Sequence, residues 1–230
     1  MGEKLRLLWL VLILGLLAGC GVPAEAHTAT NRTTQPLRKP TAGLKFPYSL
    51  PESGLIVEKL QSYSGPYWED GSGEHVENIA GLMVFNPTDR LVEFAAFAAE
   101  QEGETLYFFV YALPPQSRCL ALEYTKKTEN AEIITSCRQL CVRWDRQELS
   151  REQIDYLGLG TSMTIINRDG RQLDCVTVRY KQYEKDGDYY LGGAVQTVRL
   201  FSLHPEERRT VWPGHYDAAH ARIVEIKLDI

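Results

Sequence analysis

The sequence carries none of the short signatures that mark the common catalytic folds. Gly-x-Ser-x-Gly is absent, since Gly71-Ser72-Gly73 lacks that spacing, and so is the phosphate-cradling P-loop. Gly158-Leu159-Gly160 opens like a dinucleotide fingerprint, but the third glycine and a preceding parallel-strand unit are missing, so it reads as a connecting segment. The five histidines form no His-Glu-x-x-His pair. A basic surplus is missing too: 25 Lys and Arg stand against 30 Asp and Glu, a net charge of −5, which argues against a nucleic-acid partner. Long apolar runs are confined to one stretch near the N-terminus, which excludes a multi-spanning membrane chain. What is present is ordinary globular material: 44% hydrophobic and 24% charged residues over 230 positions, enough for two modest cores.

The first twenty residues read as an address. Lys4 and Arg6 precede an apolar run from Leu7 to Leu17, then small residues Ala18 and Gly19, then Cys20. Eleven apolar residues make a helix of about 16 Å, roughly half the hydrocarbon core of a bilayer, so a cleaved signal over residues 1–19 is expected rather than a span. Leu17-Ala18-Gly19-Cys20 resembles the bacterial lipoprotein lipobox, which implies a diacylglyceryl group on the Cys20 sulfur and cleavage just before it. The expected location is the extracytoplasmic face of the cell membrane, with palmitate-type acyl chains as the only hold on it. Loss of Glu3, Lys4 and Arg6 takes the charge from −5 to −6, so the body is repelled by anionic headgroups.

Residues 20–45 are rich in Thr, Ala and Pro without sustained apolar period and read as a flexible spacer after the lipidated Cys20. Beyond it the dominant period is two. Leu82 and Val84, then Val92, Phe94, Ala96 and Ala98, then Leu106, Phe108 and Val110 alternate as strands do, and Gly103 and Gly170 supply turns. Two stretches repeat: Met83–Asp89, ending in Asn86-Pro87-Thr88-Asp89, matches Thr164–Gly170, with Asn167 in the place of Asn86. Ala112–Pro115 likewise matches Ser202–Pro205. The chain is therefore expected to be all-β, with one sandwich domain over 46–144, a connection over 145–159 and a second sandwich over 160–230. The one helix candidate is Leu149–Tyr156, where Ser150 and Gln153 have capping-box spacing; the alternative there is a loop.

Val176-Thr177-Val178-Arg179-Tyr180, followed by Gly187 and Tyr190-Leu191-Gly192-Gly193, resembles the second domain of exported Gram-positive lipoproteins. It is also similar in rhythm to FxLYD-type immunoglobulin-like domains, although the Phe-x-Leu-Tyr-Asp string is absent. The resemblance implies two tandem immunoglobulin-like sandwiches and an exported location; it carries no chemistry with it.

Cys119, Cys137, Cys141 and Cys175 remain after Cys20. Either they form disulfides, with Cys119–Cys137 and Cys141–Cys175 the favoured pairing, or they are buried free thiols. His215, Asp217 and His220, and likewise Glu184, Asp186 and Asp188, read as solvated loop residues, and no metal or cofactor is expected. Tyr67 and Trp68 lie among Ser, Gly and acidic residues and are the candidate exposed binding pair. Tyr107, Phe108, Phe109 and Tyr111 alternate along a strand and are assigned to structure; Tyr180, Tyr183, Tyr189, Tyr190, Trp212 and Tyr216 are expected in the second core and its edge. The function expected is a non-catalytic binding module of the cell envelope. Its partner would be an envelope protein or, in the alternative, a cell-wall glycan, with an envelope hydrolase the least favoured reading.

Overall fold

A chain whose apolar residues recur at every second position satisfies its backbone by pairing strands edge to edge. The computed structural model describes residues 43–101, 103–127 and 134–229. Residues 1–42, on which the expected signal, Cys20 and most of the expected spacer fall, lie outside the described residues. Thirteen strands and no helix are found among the described residues. The first seven are β1 (Tyr48–Ser49), β2 (Ile56–Pro66), β3 (His75–Asn86), β4 (Leu91–Gln101), β5 (Glu104–Leu113), β6 (Ser117–Leu122) and β7 (Ser136–Asp145). The rest are β8 (Ile154–Leu159), β9 (Ser162–Asn167), β10 (Leu173–Glu184), β11 (Tyr189–Leu203), β12 (Arg208–Val211) and β13 (Ala221–Asp229).

They form three sheets: a seven-stranded one in the order β1-β2-β3-β6-β11-β10-β13, and two of three strands, β5-β4-β7 and β12-β9-β8. One core unites Val57, Leu82, Val84 and Cys119 from the large sheet with Ala95, Phe97, Phe108 and Val110 from β4 and β5. A second unites Val176, Val178, Leu200 and Ile226 of the large sheet with Ile154, Met163 and Ile165 of β8 and β9. The large sheet is continuous because β6 and β11 pair in parallel, at Cys119↔Tyr190 and Leu120↔Leu191; every other strand pairing is antiparallel.

Residues 149–156 are not a helix. Ser150 sits at φ 39°, its hydroxyl donates to the Ile226 carbonyl at 3.0 Å, and a single turn leads directly into β8. The hydroxyl that would cap a helix is thus committed to another strand. Segment 145–159 is accordingly more than a connection: β8 pairs with β9 from Ile154↔Asn167 to Leu159↔Ser162. At the other end, Leu44 leaves the spacer to bond the Ile134 carbonyl at 2.7 Å and packs on the first core.

The internal repeat extends to individual hydrogen bonds. The Asn86 amide donates to the carbonyls of Arg90, Leu113 and Pro114 at 2.8, 3.3 and 3.0 Å, and its oxygen accepts the Thr88 N–H at 3.1 Å. Asn167 donates to Arg171, Leu203 and His204 at 2.9, 3.0 and 3.1 Å and accepts from Asp169 at 2.8 Å. Both asparagines are 0% exposed, so each ties its turn to a distant strand end with a buried amide whose polar atoms are used. The backbone follows suit: Ala112 and Ser202 have φ of 47° and 53° at matching positions. In this correspondence β2-β3-β6 matches β8-β9-β12, and β5-β4-β7 matches β11-β10-β13.

Candidate functional site

Tyr67 is not a surface ring. It is 1% exposed and belongs to a third, smaller core with Val76, Ile79, Met83, Leu120 and Leu122. Because β6 lies inside a sheet covered on both sides, Leu120 and Leu122 on its second face need a lid, and the β2–β3 connection folds back to supply one. The Tyr67 hydroxyl bonds the Glu123 and Tyr124 carbonyls at 3.2 and 2.9 Å, and the Lys126 ammonium lies 4.5 Å from the ring centroid. Trp68 is half-buried, edge-on to the His215 ring at 5.4 Å, and lines a cavity of about 210 Å³ with Tyr183, Leu191 and His220. The pair therefore forms no common stacking platform.

Immediately after them comes the least expected feature of the molecule, a pair of opposite charges where the two halves meet, Lys181 buried and Glu69 half-buried. Glu69 accepts the Leu122 and Gly193 N–H groups on one oxygen at 2.7 and 2.6 Å. Lys181, 1% exposed, donates to the carbonyls of Tyr111, Gly193 and Ala194 at 3.0, 2.6 and 2.9 Å. Burial pushes the Glu69 carboxyl up and the Lys181 ammonium down from their ordinary ranges. The three carbonyls take all three ammonium protons, which identifies Lys181 as a clamp between β5 and β11 rather than a free amine. Gly193 is what permits the approach: a Cβ there would overlap the Phe109 carbonyl oxygen. Its neighbour Gly192, at φ +76°, would set one 2.9 Å from the Trp68 Cβ. Sequence reading passed over Glu69 and Lys181 because both look like surface charges; the adjacent Gly192-Gly193 pair was the available signal of a close backbone approach.

Cys119, Cys137, Cys141 and Cys175 are all free thiols, so the disulfide alternative gives way to the other. The Cys119 thiol is committed elsewhere, donating to the Gly192 carbonyl. Burial pushes the Cys119 thiol up to about 12 and the Cys137 thiol up to about 11, leaving both unreactive. Cys141 is exposed and Cys175 half-buried. Among the described residues no three His, Cys, Asp or Glu side chains gather in a metal-binding group, and no Ser, Thr or Cys side chain hydrogen-bonds a histidine ring. The tyrosines are distributed differently from expectation: Tyr190 joins the first core, Tyr189 packs on the third, and Trp212 is 72% exposed.

The surface best formed for contact is the outer face of β5-β4-β7. Ala95, Phe97, Phe108 and Val110 point into the core, so Phe94, Ala96 and Ala98 on β4 and Tyr107, Phe109 and Tyr111 on β5 point out. Register sets Tyr107 beside Ala98, Phe109 beside Ala96 and Tyr111 beside Phe94. On the far side, β7 sets Arg138, Cys141 and Arg143 beside the same three. The result is a small-residue floor between an aromatic row and a row bearing two guanidinium groups. The rings brace one another, with Phe94–Tyr111 centroids at 4.8 Å and Phe109–Tyr124 at 5.1 Å, and Arg143 stacks over Phe94 at 5.4 Å. Tyr107, Tyr111 and Tyr124 keep 39%, 37% and 54% of their surface in solvent. The period-two reading assigned this row to structure; which rings stay exposed depends on what lies over the face, and local sequence does not encode that.

No protein-family model, curated protein or solved structure matches the chain.

Proposed function

We propose that the protein is a lipid-anchored, extracytoplasmic binding module without catalytic activity, held at the cell membrane through Cys20 and built from two immunoglobulin-like sandwiches. The anchor reading rests on Leu17-Ala18-Gly19-Cys20, and the tandem reading on the matched asparagine ties. The observation that carries the binding reading is the aromatic face of β5-β4-β7, pre-braced by ring contacts and flanked by arginines. Aromatic residues and Arg dominate protein-contact hot spots, and a rigid sheet presents them at low entropic cost. The partner is an envelope protein.

In-cell crosslinking tests it, with wild type beside a Tyr107→Ala/Tyr111→Ala variant. A discrete crosslinked species lost in the variant is the expected result; none in wild type, or no difference in the variant, overturns the reading. For the anchor, labelled palmitate should enter wild type and not Cys20→Ser. A glycan partner is the second reading, favoured by the exposure of Tyr107, Tyr111 and Tyr124, ring types on which sugars stack. Retention on purified cell wall, lost in the same double variant, would favour it over the protein partner.

A further inference from the structure

We propose that a separate cavity, where β6 meets β10, β11 and β13, binds an acidic sugar unit: a ligand of pyranose size carrying one carboxylate among hydroxyls. The cavity measures about 170 Å³, and its lining includes Gln116, Arg118, Tyr183, Asp188, Tyr190 and Arg222 beside Ser117. That volume is well below the roughly 300 Å³ at which sites for drug-sized ligands begin, and suits a single ring.

The lining holds uncommitted hydrogen-bonding groups in a particular balance. Among the described residues the Arg222 side chain makes no ion pair or hydrogen bond; its guanidinium carbon lies 4.7 Å from the centre of the Tyr183 ring. Arg118 commits Nε to the Glu58 carboxylate, at 2.9 Å to the nearer oxygen, and one face to Phe85, leaving both Nη groups. Tyr190 is 9% exposed, and its hydroxyl bonds no described residue. These three supply donors for a carboxylate, two of them charged forks that match its geometry.

Acceptors stand beside them. Asp188 takes the Tyr183 hydroxyl on one oxygen and keeps the other, and Gln116 turns Nε2 to the Pro87 and Thr88 carbonyls and keeps its own oxygen. An acceptor-only anion such as acetate would leave those two oxygens unmatched, whereas a ring with hydroxyls donates to them. Arg118 is already paired with Glu58, so Arg222 is the cation of the lining left for a single carboxylate.

Calorimetric titration of the full-length protein in detergent with sodium glucuronate tests the proposal, with glucose, acetate and phosphate as comparison ligands. Saturable glucuronate binding is expected, at least tenfold tighter than that of glucose, acetate or phosphate. Arg222→Gln should weaken it at least tenfold, and Tyr190→Phe several-fold, each with an unchanged thermal midpoint. Absence of saturation, equal binding by folded Arg222→Gln, or phosphate binding as tightly as glucuronate overturns it. The site shares no residue with the aromatic face, so failure here and failure of the binding reading above are separate results.

Discussion

In the first half of the molecule the edge of β6 is covered by β11; in the second, the matching strand β12 has no neighbour on that edge among the described residues. Their compositions differ accordingly. β6 reads Ser-Arg-Cys-Leu-Ala-Leu and buries Cys119 and Ala121 on one face and Leu120 and Leu122 on the other, as an interior strand must. β12 reads Arg-Arg-Thr-Val, with its arginines at the open rim, a common protection against unwanted strand pairing. β5 is closed by other means: the Tyr124 N–H bonds the Tyr107 carbonyl at 2.9 Å, and Lys181 bonds that of Tyr111. One scaffold used twice thus differs chiefly at its edges, and those edges decide which half is joined and which is left open.

The sharpest break in the comparison is Gly193, at the joint and without a counterpart at the open edge. Gly193→Val drives a side chain into the Phe109 carbonyl, and the expected loss is above about 4 kcal/mol, read as a collapse of the denaturation midpoint. Gly170→Ala, at a turn with open space around its Cβ position, is the matched control and should shift the midpoint little.

Next comes the clamp. Lys181→Met strands three carbonyls and leaves Glu69 without its nearby opposite charge, at an expected cost of about 3–5 kcal/mol. Glu69→Gln behaves differently, since one amide oxygen can still accept both N–H groups. Burial raises the folded-state pKa of Glu69 above its unfolded value near 4.5, so its share of stability is complete below that pH and is lost as pH rises through the folded pKa. Denaturant titrations should show Glu69→Gln gaining on wild type as pH climbs above 4.5; a gap constant with pH would contradict the burial.

The smallest effects sharpen the symmetry itself. Asn86→Ala and Asn167→Ala should each cost about 1–3 kcal/mol, by similar amounts, and shift a single unfolding transition, because both ties serve halves that share one sheet. Two separated transitions in Asn167→Ala would instead mark the halves as independent.

Much of the fold was legible because it is local. Alternation announced the strands, and the Asn86 and Asn167 turns announced the repeat. The parallel contact at Cys119↔Tyr190 left no local trace, since it joins residues 71 apart and covers only two register positions. Tyr67 misled for a related reason: its Ser-, Gly- and acid-rich neighbours describe a loop, while its burial comes from Leu120 and Leu122 on a distant strand. Ser150 and Gln153 had helical spacing, but the Ile226 carbonyl outcompeted the cap. Glu69, Lys181, Arg118 and Arg222 are indistinguishable in sequence from solvated charges; their surroundings are set by tertiary contact.

The unbroken sheet from β1 to β13 also acts as a ruler. Six inter-strand spacings of about 4.8 Å set the rim at β13 at most about 29 Å from the strand where the chain enters the sheet. No swivel interrupts that span, so whatever grips the β13 rim is carried at a constant reach and bearing from the point of entry.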